Sequence, residues 1–580
     1  MQVTFDENKN QHDSVYSIVH DEYTTNRTSE GGQRPTASEA VAAITGFQAS
    51  TRPGPLSCKV ETKTTLSTST MTQPKTDSGS TMSSWMATAD VPTFPPLDGD
   101  AECEVCIVGA GIAGLTTAYT LARAGKRVIV LDDGPIGGGE TGRTTAHLSW
   151  ALDDFYAEIE KVHGHDGARI AAESHRSAVD RIEAIIREER IECDFERVNG
   201  YWFAATKADE GLLDAEAAAA RRAGVMDVTR VPVVPGVPFH ASGLRFGNQG
   251  QFHPLKYLAG LARAIVRHAG RICSGSHVAE FEARPRRPQL TTSDKHTVTA
   301  DSVVFATNSP VNDWVTMHTK QAAYRTYVIA VRIPRGAVAP ALYWDTRNPY
   351  HYVRLTRNDN EPLLIVGGED HKTGQADENE RRFGLLLEWT RQHFPMAGDI
   401  AYRWSGQVIE PNDYMGFIGL NPGSENVYIA TGDSGQGMTH GTIAGMLIPD
   451  LILGIENRWA KLYDPSRVTV RSAVPFLREN MNVAAQYVDW LTPGEVSSPD
   501  EIRPGSGAVM RQGAKKFAVY RDEDGTPHIR SAVCPHLFCI VDWNSVEKTW
   551  DCPCHGSRFD RYGKVVNGPA NSDLSDPKDQ

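Results

Sequence analysis

Along the chain, stretches whose apolar residues recur at a fixed period alternate with stretches that have no period. Residues 1–98 are of the second kind. Their segment ETKTTLSTSTMTQPKTDSGSTMSS, residues 61–84, is rich in Ser and Thr and poor in large apolar side chains. Such a segment buries too little surface to offset the entropy of ordering, so a disordered N-terminal extension over 1–98 is expected. Its first thirty residues are too acidic for a transit peptide, and no apolar segment has the form of a signal peptide. Met71 and Met82 are downstream candidates for the natural start.

Periodicity begins near Glu102. CEVCIVGAGIAGLTTAYTLARAGKRVIVLDD reads as strand, glycine turn, helix and strand. Cys103 and Cys106 fall in its first strand, where positions three apart point to opposite faces. They are expected to be two buried or half-buried thiols rather than a redox or metal pair. DGARIAAESHRSAVDRIEAIIREER carries its apolar residues at helical spacing, whereas AYRTYVIAVRI and YHYVRL alternate as strands do. RSAVPFLRENMNVAAQYVDWL, residues 471–491, predicts a linking helix. TPGEVSSPDEIRPGSG, residues 492–507, has the breakers of a linker and domain start. Short strands and an Asp-Gly hairpin turn follow, which predicts an all-β end. There is no internal repeat and no run of eighteen apolar residues, so no membrane span is expected.

Length and charge narrow the class. A chain of 580 residues predicts three or four domains at roughly 150 residues each. With 40% hydrophobic and 23% charged residues it has an ordinary globular composition. The net charge of −13 argues against nucleic acid and against anionic membrane surfaces as partners. Four of the nine Cys fall near the C-terminus; the other five read as reduced thiols of a cytoplasmic protein.

Two motifs carry chemistry. Gly109, Gly111 and Gly114 have the G-x-G-x-x-G spacing between a strand and a helix: room for a tight turn, for a pyrophosphate, and for helix–strand packing. Ala113 lies in the same turn, whose helix N-terminus offers free N–H groups to phosphates. Asp132 ends the second strand, where an acid can accept from a ribose hydroxyl. A dinucleotide site follows. Near the C-terminus, AVCPHLFCIVDWNSVEKTWDCPCHGSRFD contains Cys534-x-His536 and Cys552-x-x-His555. Two thiolates and two imidazoles suit either zinc or a Rieske [2Fe–2S] centre. The CPCHGS loop, the second Cys in each loop (Cys539 and Cys554) and the NGPA turn at 567–570 favour iron–sulfur.

That stretch resembles the Rieske domains of cytochrome bc complexes. The resemblance implies that Cys534, His536, Cys552 and His555 are the cluster ligands and that Cys539 and Cys554 form a disulfide clamping the two loops. The family has Gly where this chain has Phe538, and often has Tyr, a donor to the cluster, where it has Phe559; Ser557 is retained. Hydrogen bonds to the sulfurs raise the potential, so Phe559 is expected to lower it, and a Phe559→Tyr variant is expected to titrate at a higher potential.

A second resemblance runs from about 103 to 468. GPIGGGETGRTTAHLSW, GQFHPLKYLAGLARA, ADSVVFATNSP, RWSGQVIEPNDYMGFIG and VYIATGDSGQGMTHGTIAG resemble segments of the D-amino-acid-oxidase-like superfamily, which includes glycine, sarcosine and gamma-glutamylputrescine oxidases. This implies FAD as the dinucleotide, with Arg143, Thr144 and Thr145 near the isoalloxazine and Gly435, Gly437, Met438 and Thr439 by its pyrimidine edge. Some relatives attach FAD through a His about where Thr144 stands. Thr cannot make that bond, so noncovalent FAD is implied, with His147 nearby keeping covalent attachment open.

The implied fold class is α/β plus all-β: a Rossmann-type FAD domain with an inserted α+β substrate domain, then a small all-β Rieske domain. The oxidoreductase part spans 99–470, with FAD-binding segments at about 102–150, 246–315 and 401–468 and substrate-binding segments at about 151–245 and 320–400. Residues 471–497 link it to the Rieske domain at 498–580. Arg325, Tyr327, His351, Tyr352 and Arg354 are the candidates for the substrate pocket. No catalytic base is assigned, since positioning an amine C–H at the flavin can suffice. As a whole the chain resembles FAD-dependent oxidoreductases with a C-terminal Rieske domain. The implied reaction is oxidation of an amine or amino-acid C–N bond, with single electrons passing to the cluster and on to an external acceptor. Two other readings stand beside it. In one, an external donor feeds the cluster and then the flavin, although a second G-x-G-x-x-G for a nicotinamide donor is absent. In the other, the chain is an electron carrier or redox sensor, against which the sizeable substrate segments argue.

Overall fold

The computed structural model describes residues 78–311, 317–357, 361–376, 379–469 and 473–579. The expected disorder of residues 1–77 lies outside them. Residues 78–98, expected to share that disorder, are instead ordered. Ser83 caps the short helix Ser84–Thr88 by accepting from the Met86 N–H, and its hydroxyl donates to the Gly142 carbonyl at 2.6 Å. Trp85 and Leu97 are buried. An average over a Ser/Thr-rich window hides the two large apolar side chains that tie this stretch down.

Two sheets make the body of the molecule. The first has eight strands. Its path runs Phe417–Leu420, Val427–Thr431, Thr297–Asn308, Ala101–Val108, Val128–Leu131, Arg271–Cys273, parallel throughout except at the Phe417–Leu420 edge. Strands buried on both faces require near-continuous apolar runs, and CIV and VIVL supply them. Helices Ile112–Arg123, Pro254–Arg267 and Gly437–Ile452 pack with this sheet in one continuous core. Cys103 and Cys106 are both buried, but not on opposite faces: they join the same apolar cluster. The N–H groups of Glu104 and Val105 share the Arg127 carbonyl, a bulge-like irregularity that breaks the alternation.

The second sheet has nine strands and is mainly antiparallel. Its path runs Ile400–Pro411, Gln321–Arg332, Leu363–Lys372, His351–Leu355, Leu342–Asp345, Glu196–Phe203, Gly243–Gln251, His147–Leu148. Three of these strands lie partly in segments that the sequence reading gives to FAD binding: His147–Leu148, the end of Gly243–Gln251, and Ile400–Pro411. The last two cross the expected boundary within a single strand, so no break in hydrophobic period marks the change. The helical stretch Tyr156–Glu189 covers this region and breaks at Gly164, whose φ is 74°.

The C-terminal part is all-β. Ser506–Gln512, Lys515–Arg521 and Pro527–Ser531 form one antiparallel sheet, and Asp542–Asn544, Thr549–Asp551, Arg558–Asp560 and Val565–Asn567 a second. The helix Ala473–Gln486 leads into it and is fastened along its second half and just beyond. Lys372 pairs with Glu479, Gln375 bonds Asn482 at 2.8 Å, and the Tyr487 hydroxyl donates to the Leu537 carbonyl at 2.6 Å.

Candidate functional site

A cavity of about 300 Å³ opens over the carboxyl ends of the parallel strands, where open α/β sheets bind their ligands. Gly109, Gly111, Ala113, Asp132, Arg143, Thr144, Thr145, Gly435, Gly437 and Met438 line it. Gly109 has φ 106°, and a Cβ there would strike the Ala306 carbonyl. A Cβ at Gly114 would strike the Gly109 carbonyl, so this residue serves helix–strand packing rather than lining the cavity. The Asp132 carboxylate accepts from the N–H groups of Ala110 at 2.6 Å and Gly134 at 2.8 Å and so shapes the turn. Thr439 lies off the cavity and bonds His175 at 2.8 Å. These residues fit a dinucleotide: the glycine cradle has no room for a Cβ. On the same wall His147, whose imidazole burial holds neutral with a pKa near 3, leaves its buried Nε2 without a hydrogen-bond partner among the described residues.

Of the five pocket candidates only Tyr352 lines the cavity. Side chains alternate along a strand, and on Gln321–Arg332 the inward positions are Thr326 and Val328. Arg325 and Tyr327 therefore face away. Tyr327 donates to Asn379 at 2.6 Å and bonds His371, while Arg325 enters the charged cluster described below. His351 pairs with Asp345 at 2.9 Å and stacks on Trp389. Arg354 donates to the carbonyls of Thr145, Ala146 and Phe252 and so holds the strap beside the cavity.

Acidic and aromatic residues also line the cavity: among them Asp153, Asp370, Glu410 and Asp433, with Trp344, Tyr350 and Tyr352. Burial, with repulsion from neighbouring carboxylates, raises the carboxyls of Asp153 and Asp433 to about 7 and that of Asp370 to about 6, and raises that of Glu410 well above its ordinary value. The Ser434 hydroxyl is placed to donate to both Asp154 and Glu410, at 2.5 and 2.7 Å. One hydroxyl has one proton to share, so the second carboxyl holds its own.

Where the C-terminal part meets the body lies a different cluster. Glu547 is fully buried and accepts from Arg143 at 3.2 Å, Ser405 at 2.5 Å and Thr81 at 2.5 Å, with Arg325 at 3.5 Å. Arg143 also donates to the carbonyls of Gly79, Thr81 and Ser405. Arg558, also fully buried, pairs with Asp551 at 3.3 Å and faces Glu140 at 3.8 Å. Burial alone would raise the Glu547 carboxyl, but the guanidiniums of Arg143, Arg325 and Arg558 hold it at about 2. Arg143, expected beside the isoalloxazine, thus spends its guanidinium on this seam.

Cys534, His536, Cys552 and His555 converge in two adjacent loops, all buried. The two imidazoles lie 5.1 Å apart, and the thiols of Cys534 and Cys552 are within hydrogen-bond reach. Cys539 and Cys554 are joined by a disulfide, with Cα atoms 6.4 Å apart. The amides of His536 and Leu537 and the Ser557 hydroxyl point at the Cys534 sulfur; those of Cys554 and His555 point at Cys552. His555 is held neutral, near pKa 3, by burial and the neighbouring imidazoles, and its buried Nδ1 has no partner among the described residues. A donor set of two thiols and two imidazoles, with amides aimed at the sulfurs, fits a Rieske centre. Phe538 has φ 60°, a conformation that favours the Gly of the resembled family.

This cluster region and the cavity share a wall. Asn567, Gly568, Ala570 and Asn571 line the cavity, and the Ala570 N–H donates to the Ser557 hydroxyl at 3.0 Å. His318 of the body lies edge-on to the rings of His536 and His555, at 4.9 and 6.0 Å. Gln407 donates to the Gly556 carbonyl at 3.0 Å. The sequence reading missed Glu547, His318 and the four cavity acids. Only the Asp153–Asp154 doublet, directly after an apolar run, offered a local signal.

Comparison with known proteins agrees with this geometry. The family model described as FAD dependent oxidoreductase matches residues 104–451, and that of the Rieske [2Fe-2S] domain matches 492–578. The putative Rieske 2Fe-2S iron-sulfur protein YhfW of Bacillus subtilis is 32% identical, over 84% of this chain and 95% of its own. The gamma-glutamylputrescine oxidoreductase of Escherichia coli is 28% identical, over 63% of this chain and 87% of its own. Glycine oxidase from Geobacillus kaustophilus shares the fold, with a TM-score of 0.54 at 17% identity, over 63% of this chain and 99% of its own. The chain belongs to the FAD dependent oxidoreductase family and carries a C-terminal Rieske [2Fe–2S] domain, with FAD and a [2Fe–2S] cluster as its cofactors.

Proposed function

We propose that this FAD dependent oxidoreductase, of the amine and amino-acid oxidase type, oxidises the C–N bond of a small amine or amino acid and releases the electrons one at a time through its own Rieske domain to an external acceptor. When bound, FAD supplies a two-electron acceptor for hydride and the Rieske centre a one-electron carrier. The observation that carries the reading is the shared wall: Asn567, Gly568, Ala570 and Asn571 border the cavity, and Ala570 is one hydrogen bond from Ser557, whose hydroxyl reaches Cys534. Both centres can therefore work within one chain.

The residues take the following parts. The turn at Gly109–Ala113 and the loop at Gly435–Met438 cradle FAD, with Asp132 bracing the turn and offering its carboxylate toward a ribose. Thr144 and Thr145 border the ring site. Cys534, His536, Cys552 and His555 hold the iron, and the Cys539–Cys554 disulfide clamps their loops. Tyr352, Tyr350 and Trp344 pack about the substrate. No proton carrier beyond the wall carboxyls is needed.

Anaerobic mixing of the iron-loaded holoenzyme with a panel of amines and amino acids tests this. Flavin absorbance and the Rieske EPR signal are followed together. One substrate is expected to bleach the flavin, after which the EPR signal grows. If every amine leaves both centres oxidised while a reductase system fills the cluster and then the flavin, electrons run inward and the reading fails.

A further inference from the structure

The proposed reaction admits amines and amino acids alike, and the two differ in one group. An α-amino acid brings a carboxylate within two bonds of its nitrogen. Enclosing that carboxylate requires a cation or a set of donors, because a buried unpaired charge is costly. Among the described residues lining the cavity, Arg143 is the sole arginine or lysine. Its two terminal nitrogens are already committed to Glu547, Thr81, Gly79 and Ser405, which leaves only the buried Nε–H unpaired among the described residues. Arg325 and Arg354, which could have served, point elsewhere. His147 and His440 are buried and held neutral, with pKa values near 3 and 4.

The opposite charge is plentiful. Asp153, Asp370, Glu410 and Asp433 face the same space. Asp153 accepts from Gln436 at 3.0 Å and from Tyr350 at 3.4 Å. Asp370 reaches Thr326, whose hydroxyl bonds the Tyr352 hydroxyl at 2.5 Å. The rings of Tyr350 and Tyr352 lie 5.5 Å apart, and His147 sits 5.6 Å from Trp344. Among the cavity-lining residues, the buried polar atoms with no partner among the described residues are Asp370 Oδ1 and His147 Nε2 beside the aromatic rings, and Arg143 Nε, Asn308 Nδ2 and Asn567 Oδ1 elsewhere on the lining. Asp370 Oδ1 can accept from an N–H, and His147 Nε2 does so when Nδ1 carries the ring proton toward Thr145. Carboxylate oxygens beside aromatic faces are the chemistry that recognises an ammonium group. Four acids exceed what a single ammonium neutralises.

Resting on the amine-oxidation reading, we infer that the cavity selects an aliphatic di- or polyamine, held through its amino groups on Asp153 and Asp370, over any α-amino acid. An amino-acid carboxylate entering here meets four carboxyls, and the one guanidinium of the lining is paired with Glu547 and keeps a single N–H to offer. A diamine brings two positive groups to a wall that has none.

The test uses oxidised, iron-loaded holoenzyme under anaerobic conditions with 1,4-diaminobutane, spermidine, glycine and L-glutamate as probes. A shift of the flavin spectrum reports binding, and bleaching reports oxidation. Diamine and spermidine are expected to bind at least about tenfold tighter than either amino acid. Asp370→Asn is expected to weaken them about tenfold or more, and Asp370→Glu to restore them, with FAD content unchanged. If Asp370→Asn does not fold, Asp153→Asn and the panel on the unaltered enzyme decide. Glycine or L-glutamate binding as tightly as 1,4-diaminobutane overturns the inference, as does unchanged diamine binding in both Asn variants. The two readings fail separately. Amino acids that bleach the flavin while diamines neither shift nor bleach it sink the selection and leave amine oxidation standing. Diamines that bind tightly while no probe bleaches it do the reverse.

Discussion

Two groups of charge in this molecule, one buried in the domain seam and one half-buried on the cavity wall, follow opposite rules. At the seam, Arg143, Arg325 and Arg558 interleave with Glu140, Glu547 and Asp551, and each acid lies against a guanidinium. On the cavity wall, Asp153, Asp370, Glu410 and Asp433 stand together and none is in an ion pair among the described residues, although the Arg382 guanidinium draws the Asp370 carboxyl down in part. Their pKa values part accordingly: Glu547 is held at about 2, whereas Asp153 and Asp433 are raised to about 7. A compensated cluster holds two domains in register at little cost. An uncompensated one costs stability, and a fold keeps it where a ligand supplies the missing charge. The difference separates architecture from function without reference to motif.

The comparison breaks most readily at Glu547. Removing one partner of a buried charged cluster leaves the others unpaired, at about 3–5 kcal/mol. Glu547→Gln is expected to lower stability by that amount, read as a fall in the unfolding temperature and as easier proteolysis between the two domains. A loss near zero would mean the seam is held by its apolar contacts alone. Acid has the same effect. The Glu547 carboxyl titrates lower in the fold than in an unfolded chain (about 4.3). Its contribution is therefore complete above that value and drains away as pH falls toward about 2.

Much of this was legible in the sequence. The strand–glycine–helix signal at Gly109 and the Cys/His spacing at 534–555 are local patterns whose chemistry needs those residues at those intervals, and the fold matches both. The seam and the wall were not legible, for a common reason. Glu547 meets Arg143 across 404 positions of chain, and no period or spacing encodes such a meeting. Arg325 and Tyr327 were picked as pocket residues by type, but only strand phase decides which face a side chain takes. That phase depends on pairing between Gln321–Arg332 and its neighbours, including a register shift between Arg325 and Tyr327. Residues 78–98 misled in the opposite way, since Trp85 anchors a stretch whose average composition reads as unstructured.

The wall should answer with the opposite sign. Asp153 titrates at about 7 in the fold against about 3.9 when unfolded. Its favourable contribution is therefore complete below about 3.9 and is lost as pH rises through about 7. In flavin-free protein Asp153→Asn is expected to raise stability at pH 8 by about 1–3 kcal/mol and to change little at pH 4. A destabilised variant at pH 8 would show that the carboxylate has a cationic partner after all. Run side by side, the two variants should give stability profiles that diverge with pH: Glu547→Gln worst in neutral solution, Asp153→Asn best in mild alkali.

The smallest effect sharpens what holds the seam. The Ser405 hydroxyl donates to Glu547 and accepts from Arg325, both at 2.5 Å, yet it carries no charge. Ser405→Ala removes these two bonds while leaving every ion in place, and Arg143 and Thr81 still reach Glu547. The expected loss is about 1 kcal/mol, measured by thermal unfolding at pH 7. A loss as large as that of Glu547→Gln would assign the seam to hydrogen-bond geometry rather than to charge. In that case the contrast with the cavity wall would be one of satisfied against unsatisfied acceptors, and neutral donors would be expected to bind the wall as well as ammonium groups do.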